Sequence, residues 1–272
     1  MTSNTAQQDA AVADKAILAN SAYADGRHLA ARQSIYRWQW PQYDLPGIVV
    51  EELADTSGTV LDVGCGNGKF VSRLHRDRPD LRVVGTDISA GILADVEKPV
   101  LVADAQALPF ADDSAGAVLA LHMLYHVGDI PGAVGELARV LRPGGVLIAS
   151  TNSESDKVEL DRLWARAAGD VLGVAEGPGR VSLSARFSLE RAPGILGEVF
   201  GEVRVRPLPG VIELTDPAPV VAHLASYEAW AGQCGVPFRE TVARAAEIVA
   251  DVIESEGAFW IGCLGGVLVC RY

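Results

Sequence analysis

Residues 60–70 read VLDVGCGNGKF, a short apolar segment that runs into a loop containing Gly64, Gly66 and Gly68. The apolar residues predict a buried strand, and residues 68–76 beyond the loop predict a helix. Glycine permits a tight turn and lets a ligand approach the backbone without a Cβ in the way. A glycine loop between a strand and a helix is typical of a ligand site at the carboxyl end of a parallel strand.

Asp62, two residues before the first glycine, narrows the kind of ligand. The loop spacing is G-x-G-x-G, which differs from the G-x-G-x-x-G of dinucleotide sites. A carboxylate at this strand end would repel a pyrophosphate and attract an ammonium group. The pattern therefore favours a cofactor with an amino-acid part over NAD.

Apolar strands and amphipathic helices alternate on both sides of this loop, which predicts an α/β fold with a mostly parallel sheet covered on both faces. Such sheets bind ligands at the carboxyl ends of their strands. The predicted strands are 59–63, 82–86, 100–103, 117–121 and 146–150, and the predicted helices are 45–55, 68–76, 88–96 and 130–141.

Two more acidic residues follow predicted strands. Asp87 ends the segment VVGTD, where a carboxylate can accept hydrogen bonds from both hydroxyls of a ribose. Asp104, in VADAQALPF, can accept from an adenine amino group while the Ala105 amide donates to the ring. Asp104 alone could equally be a surface turn residue, but the three motifs together indicate an adenosine-containing ligand.

These segments, with LALHMLYHV at 119–127 and RVLRPGGVLIAS at 139–150, resemble the class I S-adenosylmethionine-dependent methyltransferases that act on small molecules. The resemblance covers roughly residues 45–151. It implies a Rossmann-like sheet of seven mostly parallel strands with helices on both faces and an antiparallel C-terminal edge pair. It also implies S-adenosylmethionine as the cofactor.

The same resemblance assigns the cofactor contacts. It places the methionine part on the glycine loop and the residues around it, the ribose on Asp87, and the adenine beside the residues that follow the second and third strands. Carried over in this way, the cofactor-binding residues are Asp62, Gly64, Gly66, Asp87, Ile88, Asp104, Ala105 and Leu121 or His122, with Arg32 for the methionine carboxylate.

His126 is the candidate general base, because it follows the fourth strand and an unperturbed imidazole titrates near pH 6.5. Similar enzymes often pair a histidine there with a tyrosine from the N-terminal segment, and Tyr23 and Tyr36 are the candidates for active-site contacts. The alternative is that His126 caps the loop or binds backbone. Trp38 and Trp40 are expected to be packing residues.

The chain is predicted to consist of an N-terminal lid, 1–44, and a methyltransferase domain, 45–272. Within that domain, 154–173 predict a helix and 203–206 a strand. A mostly helical, substrate-side insertion is expected at about 207–257, and the final FWIGCLGGVLVCRY predicts two short strands around a turn. Arg180, Arg186 and Arg191 could bind an acidic acceptor, but solvated surface charge is the favoured expectation.

A net charge of −12 and a pI near 4.8 argue against a nucleic-acid partner. The N-terminus lacks the pattern of a signal peptide and no long apolar run occurs, so a cytoplasmic protein without membrane contact is expected. The scattered cysteines predict no metal site. The expected function is O- or N-methylation of a small molecule in secondary metabolism, with an RNA or protein methyltransferase or a non-catalytic cofactor-binding protein as alternatives. The oligomeric state is left open.

Overall fold

Five apolar segments from the first 152 residues form the parallel centre of one sheet in the computed structural model, which describes residues 2–272. In the central strands Val60 lies opposite Val83 on one side and Ala117 on the other. The fourth of these segments, AGAVLAL, is buried throughout. Strands covered on both faces need such continuous apolar runs, so the sequence pattern and the buried sheet agree.

The strands are β1 Gln39–Trp40, β2 Thr59–Val63, β3 Arg82–Asp87, β4 Val100–Val102, β5 Ala115–Leu121, β6 Leu141–Asn152, β7 Glu202–Leu214 and β8 Phe259–Arg271. The helices are α1 Thr2–Val12, α2 Lys15–Ile17, α3 Arg27–Ser34, α4 Leu45–Glu52, α5 Lys69–Asp77, α6 Ile130–Val140, α7 Val158–Leu172, α8 Ala192–Gly197, α9 Ala218–Ala225 and α10 Phe238–Glu256.

The strand order is β1-β7-β8-β6-β5-β2-β3-β4. β8 runs antiparallel to both β6 and β7, which confirms the predicted mostly parallel sheet with an antiparallel C-terminal pair. The prediction of seven strands missed β1, which adds an eighth at the edge by pairing with Val211 and Ile212 of β7. A strand of two residues is too short to show a periodic pattern in sequence.

The predicted helical insertion at 207–257 is wrong at its start, because residues 207–214 continue strand β7. Pro207 and Pro209 suggested a break in the chain, yet both lie within this strand. β1 pairs only with Val211 and Ile212, so the strand edge beside the two prolines is open and no ladder hydrogen bond is lost there. The helical part of the region comprises α9, a 3-10 segment and α10.

The C-terminal residues form one strand of 13 residues instead of two short strands around a turn. Gly265 and Gly266 pair with β6 on one side and β7 on the other. A Cβ on Gly266 would lie 2.8 Å from a methyl carbon of Leu189 and 3.1 Å from the Arg206 carbonyl oxygen. This glycine therefore provides room for close packing and does not mark a turn.

The predicted helix at 88–96 is reduced to a 3-10 turn, Ile92–Asp95. The N-terminal segment passes against this turn, since a Cβ on Gly91 would lie 2.0 Å from the Ala24 carbonyl oxygen. The segment packs through buried side chains such as Leu18 and Ile35. Trp38 and Trp40, expected to pack, are instead 43% and 79% exposed.

Within residues 2–272, none of the helices combines the length and apolar composition needed to cross a membrane.

Candidate active site

A cavity of about 530 Å³ opens at the carboxyl ends of β2, β3, β5 and β6, with the N-terminal segment along its other wall. Its volume lies within the range of small-molecule sites. The cavity brings together all the site residues expected from the sequence: Tyr23, Arg32, Tyr36, Asp62, Gly64, Gly66, Asp87, Ile88, Asp104, Ala105, Leu121, His122 and His126.

Asp62 lies near the end of β2, two residues before the glycine loop, and its carboxylate is buried at 1% exposure. Neither of its oxygens has a hydrogen-bond donor among the described residues. Burial raises the pKa of Asp62 to about 7, and the nearby Asp87 carboxylate adds to the shift. A buried carboxylate without a partner is unfavourable, and an ammonium group would relieve it. The site therefore fits the amino-acid part of S-adenosylmethionine.

Asp87 connects the end of β3 to the glycine loop. One carboxylate oxygen accepts from the Gly66 amide at 3.0 Å, and the other accepts from the Ser89 amide at 3.0 Å. Gly64 and Gly66 have φ of +68° and +55°, a conformation that favours glycine. Each carboxylate oxygen retains a second lone pair, so the predicted contacts to ribose hydroxyls fit this arrangement.

Asp104 is bound from the N-terminal segment, which the sequence did not predict. Its carboxylate forms an ion pair with Lys15 and accepts from the Gln106 amide at 3.0 Å. Burial acts to raise the pKa of Asp104, but the hydrogen bonds from Lys15 and Gln106 bring it below the ordinary value. Ala105 and Ile88 line the same part of the cavity. Lys15 is thus a wall residue of the expected adenine pocket.

His126 and Tyr23 form a hydrogen-bonded pair in the cavity wall. The His126 Nδ1 lies 2.9 Å from the Val12 carbonyl oxygen, and its Nε2 lies 2.6 Å from the Tyr23 hydroxyl. A carbonyl oxygen only accepts, so Nδ1 carries the proton and Nε2 accepts from the tyrosine. The Trp230 ring stacks parallel to the imidazole at 6.1 Å. His126 thus makes the backbone contact of one sequence interpretation through Nδ1, while its unprotonated nitrogen, Nε2, accepts from Tyr23.

Burial keeps the site histidines neutral. It lowers the pKa of His126 to about 3. It lowers that of His122 to about 4, with a further contribution from the Lys157 ammonium. His122 follows β5 with φ of +55° and lines the cavity beside Leu121. The titration near pH 6.5 expected for a solvated imidazole is therefore absent from His126.

Lys157 is a site residue that the sequence did not reveal. It is 4% exposed, donates to the Tyr36 hydroxyl at 2.6 Å and forms an ion pair with Asp156. Burial raises the pKa of Tyr36 to about 12, so this phenol stays protonated. Tyr36 and Lys157 are 121 positions apart, and no local pattern indicates their contact.

The arginines of the site differ from expectation. Arg186 donates to the carbonyls of Val127 and Gly128 at 2.6 and 2.8 Å, and so shapes the loop after His126. The side chain of Arg180 is 11% exposed and lies within the cavity wall. Both were predicted as solvated charges, and that prediction is wrong for them. Arg191 is 61% exposed and pairs with Glu154, as a surface residue would.

Comparison with known proteins agrees with the fold. Residues 61–149 match the family model described as a methyltransferase domain. The chain is 32% identical over 168 residues to the tRNA (carboxymethyluridine(34)-5-O)-methyltransferase of Arabidopsis thaliana, covering 57% of this chain and 40% of that protein. It is 34% identical over 112 residues to the malonyl-[acyl-carrier protein] O-methyltransferase of Hahella chejuensis, covering 39% and 40%.

A solved structure named as a methyltransferase of an antibiotic biosynthesis pathway in Anabaena variabilis superimposes with a TM-score of 0.59. The two chains are 15% identical, and the match covers 84% of this chain and 96% of that one. At this identity the likeness concerns the fold. The chain spans about two fifths of the length of the curated relatives quoted above.

The glycine loop, the acids at successive strand ends and the strand order define an S-adenosylmethionine-binding Rossmann-like domain. Residues 61–149 match the methyltransferase-domain family, whose methyl donor is S-adenosylmethionine.

Proposed function

We propose that this protein transfers the methyl group of S-adenosylmethionine to an oxygen or nitrogen atom of a small molecule bound in the cavity. The cofactor supplies a methyl group already activated on a sulfonium. Its transfer is an in-line displacement that depends mainly on placement of the acceptor. In this proposal Asp62 and the glycine loop hold the methionine part, Asp87 holds the ribose, and Asp104 with Ala105 holds the adenine, while Ile88 and Leu121 pack against the cofactor.

The observation that carries the proposal is the Tyr23–His126 pair. Because the Tyr23 proton points to Nε2 of His126, the lone pairs of the phenol oxygen can accept a hydrogen bond from an acceptor hydroxyl or amine. The acceptor's own lone pair would then be directed away from Tyr23. As the proton leaves the acceptor it passes to the Tyr23 oxygen, and the Tyr23 proton passes to Nε2.

The N-terminal segment supports a small acceptor. Residues from 15 to 36 supply Lys15, Tyr23, Arg32 and Tyr36 to the cavity wall, so the acceptor has to fit beneath this segment. We propose that residues 1–44 act as a lid that excludes water during transfer. The Arabidopsis relative is named for a tRNA substrate. The net charge of −12 argues against that substrate here, because phosphate backbones need a basic surface.

The test is methyl transfer from methyl-labelled S-adenosylmethionine, offered in parallel to a panel of small phenols, amines and carboxylic acids, to bulk tRNA and to acyl carrier protein. We expect label in the small-molecule fraction. His126→Ala should lower kcat by about a hundredfold or more on a hydroxyl acceptor, the usual contribution of a placed base. Tyr23→Phe should act in the same direction, because the phenylalanine ring has no oxygen to accept the hydrogen bond.

Because the His126 pKa is about 3, kcat at saturating cofactor should show no inflection near pH 6.5. The matched control is Trp260→Ala, at a position of β8 that is 52% exposed and outside the cavity, which should keep full turnover. Label that appeared only in tRNA or acyl carrier protein would contradict the proposal. Full turnover of both site variants on a hydroxyl acceptor would contradict the roles of Tyr23 and His126.

A further inference from the structure

Two guanidinium groups face the same aromatic ring in the cavity wall. The central carbon of the Arg180 guanidinium lies 5.4 Å from the centre of the Tyr227 ring, and that of Arg32 lies 5.8 Å from it. The His223 ring centre is 5.5 Å from the same ring. All four side chains line the cavity. Two guanidinium groups therefore lie near one tyrosine ring of the cavity wall, in a protein whose overall charge is strongly negative.

Among the described residues, only one of these two guanidinium groups has a carboxylate partner. Asp161 lies 2.6 Å from Nε of Arg180, and Asp156 is paired with Lys157. Arg32, 8% exposed, has no ion-pair partner in the described part of the chain, since its Nη1 donates to the Ser226 carbonyl at 2.8 Å. Its Nη2 is buried with no hydrogen-bond partner among the described residues. A buried cation without a counter-ion is strongly unfavourable, so binding of an anion would stabilise the Arg32 guanidinium.

His223 adds unused hydrogen-bonding capacity. It is 3% exposed, and neither ring nitrogen has a partner within residues 2–272. Burial, reinforced by the cations of Lys157, Arg180 and Arg32, lowers its pKa well below the ordinary value. The imidazole is therefore neutral and retains one N–H group as a donor. A neutral N–H beside two guanidinium groups forms a donor set suited to an oxyanion.

We propose that the methyl acceptor carries an oxyanionic group, a carboxylate or a phosphate, which binds between Arg32 and Arg180 beside Tyr227. This inference rests on the proposed function and specifies the class of acceptor. The Arg32 guanidinium carbon also lies 5.0 Å from the centre of the Tyr23 ring. One small molecule can therefore place its anionic group on Arg32 and its reacting atom at the Tyr23–His126 pair.

The cofactor could also supply the anion that binds Arg32, because the family resemblance assigns Arg32 to the carboxylate of the methionine part. The experiment separates the two by saturating the protein with S-adenosylhomocysteine, which fills the cofactor's own carboxylate site. Benzoate, phenyl phosphate and the neutral benzyl alcohol are then titrated, with calorimetry and the fluorescence of Trp230, which lies 5.8 Å from Arg32, as readouts. We expect both anions to bind and the alcohol to bind at least tenfold more weakly.

Arg180→Gln should weaken anion binding by about tenfold or more, and Arg180→Lys by less, since it keeps the charge. Arg239→Gln is the matched control, because Arg239 is an 85% exposed arginine that already has a carboxylate partner, and it should change nothing. Unchanged affinity for S-adenosylhomocysteine shows that each variant is folded. If Arg180→Gln is unfolded, Arg180→Lys provides the test.

Anion binding that disappears when S-adenosylhomocysteine is present would overturn the inference and assign Arg32 to the cofactor. Equal binding of benzyl alcohol and benzoate would overturn it as well. Neither result would affect the proposed methyl transfer. That proposal would instead be contradicted by a protein that binds the anions but does not bind S-adenosylhomocysteine.

Discussion

The carboxylate of Asp62 lies at the end of β2 without a donor on either oxygen among the described residues. Its counterpart Asp87 is equally part of the sheet edge, yet it accepts from two backbone amides. Burial raises the pKa of both residues, to about 7 for Asp62. At the residue scale, the two acids thus have different roles, since Asp87 orders the glycine loop and Asp62 provides an unpaired acceptor.

This difference predicts that cofactor affinity depends on pH. Below pH 7 Asp62 is protonated in the free protein, and an ammonium group binds only its ionised form. Affinity for S-adenosylhomocysteine should therefore rise by up to about tenfold for each pH unit between about pH 5.5 and about pH 7. Calorimetry across this range measures it, with Asp62→Asn as the control that binds weakly and without a slope. A flat wild-type profile would show that Asp62 does not pair with the ammonium.

At the scale of elements, the central strands were predictable because continuous apolar runs and strand-end acids are local features. The edge strands β7 and β8 were not predictable, because their course depends on contacts that are not local in sequence. β7 continues through Pro207 and Pro209 because its outer edge is open at those residues, and β8 continues through paired glycines because Leu189 packs there. Each of these features depends on which element lies alongside, and neighbouring residues do not encode that.

The N-terminal segment is expected to be required for turnover but not for folding of the sheet. Deletion of residues 1–40 removes Lys15, Tyr23, Arg32 and Tyr36 from the cavity and leaves β2–β8 intact. We expect a cooperatively folded protein of lower Tm, because buried Leu18 and Ile35 are lost, with turnover lowered by about a hundredfold or more. Circular dichroism and the labelled-methyl assay measure the two effects. A truncated protein with full activity would show that the segment is not a lid.

At the scale of the whole molecule, several buried titratable groups act on stability together. The pKa of His126 is about 3, that of His122 about 4, and that of His223 lies well below the ordinary value. The unfolded chain therefore binds more protons at these three residues as pH falls below about 6.5, and their contribution to stability is lost. Asp62, with its pKa raised to about 7, acts in the opposite sense over the same range.

The three histidines outweigh the raised carboxyl groups, so the free energy of unfolding should fall by about 3 kcal/mol from pH 7 to pH 5. Urea unfolding of the cofactor-free protein at both pH values measures the change. In Asp62→Asn one opposing group is absent, and the loss should be larger than in the wild type. Stability that is constant or rises on acidification would mean that the histidines are not held neutral in the folded state.

Local sequence determined the proposed cofactor half of this site. The glycine loop, Asp62, Asp87 and Asp104 all follow strands, and parallel strands in one sheet present their carboxyl ends at one edge. A short motif therefore specifies both the position and the chemistry of each residue.

Only the tertiary structure decided the proposed acceptor half. The contacts of Tyr23 with His126, Lys157 with Tyr36, and Arg32 with Ser226 join residues 103, 121 and 194 positions apart. Such contacts depend on how the N-terminal segment and the helices after β7 fold over the sheet. The charge of the proposed acceptor pocket arises in the same way, because the unpaired Arg32 guanidinium and the Asp161-paired Arg180 guanidinium come near the same Tyr227 ring only in the folded chain.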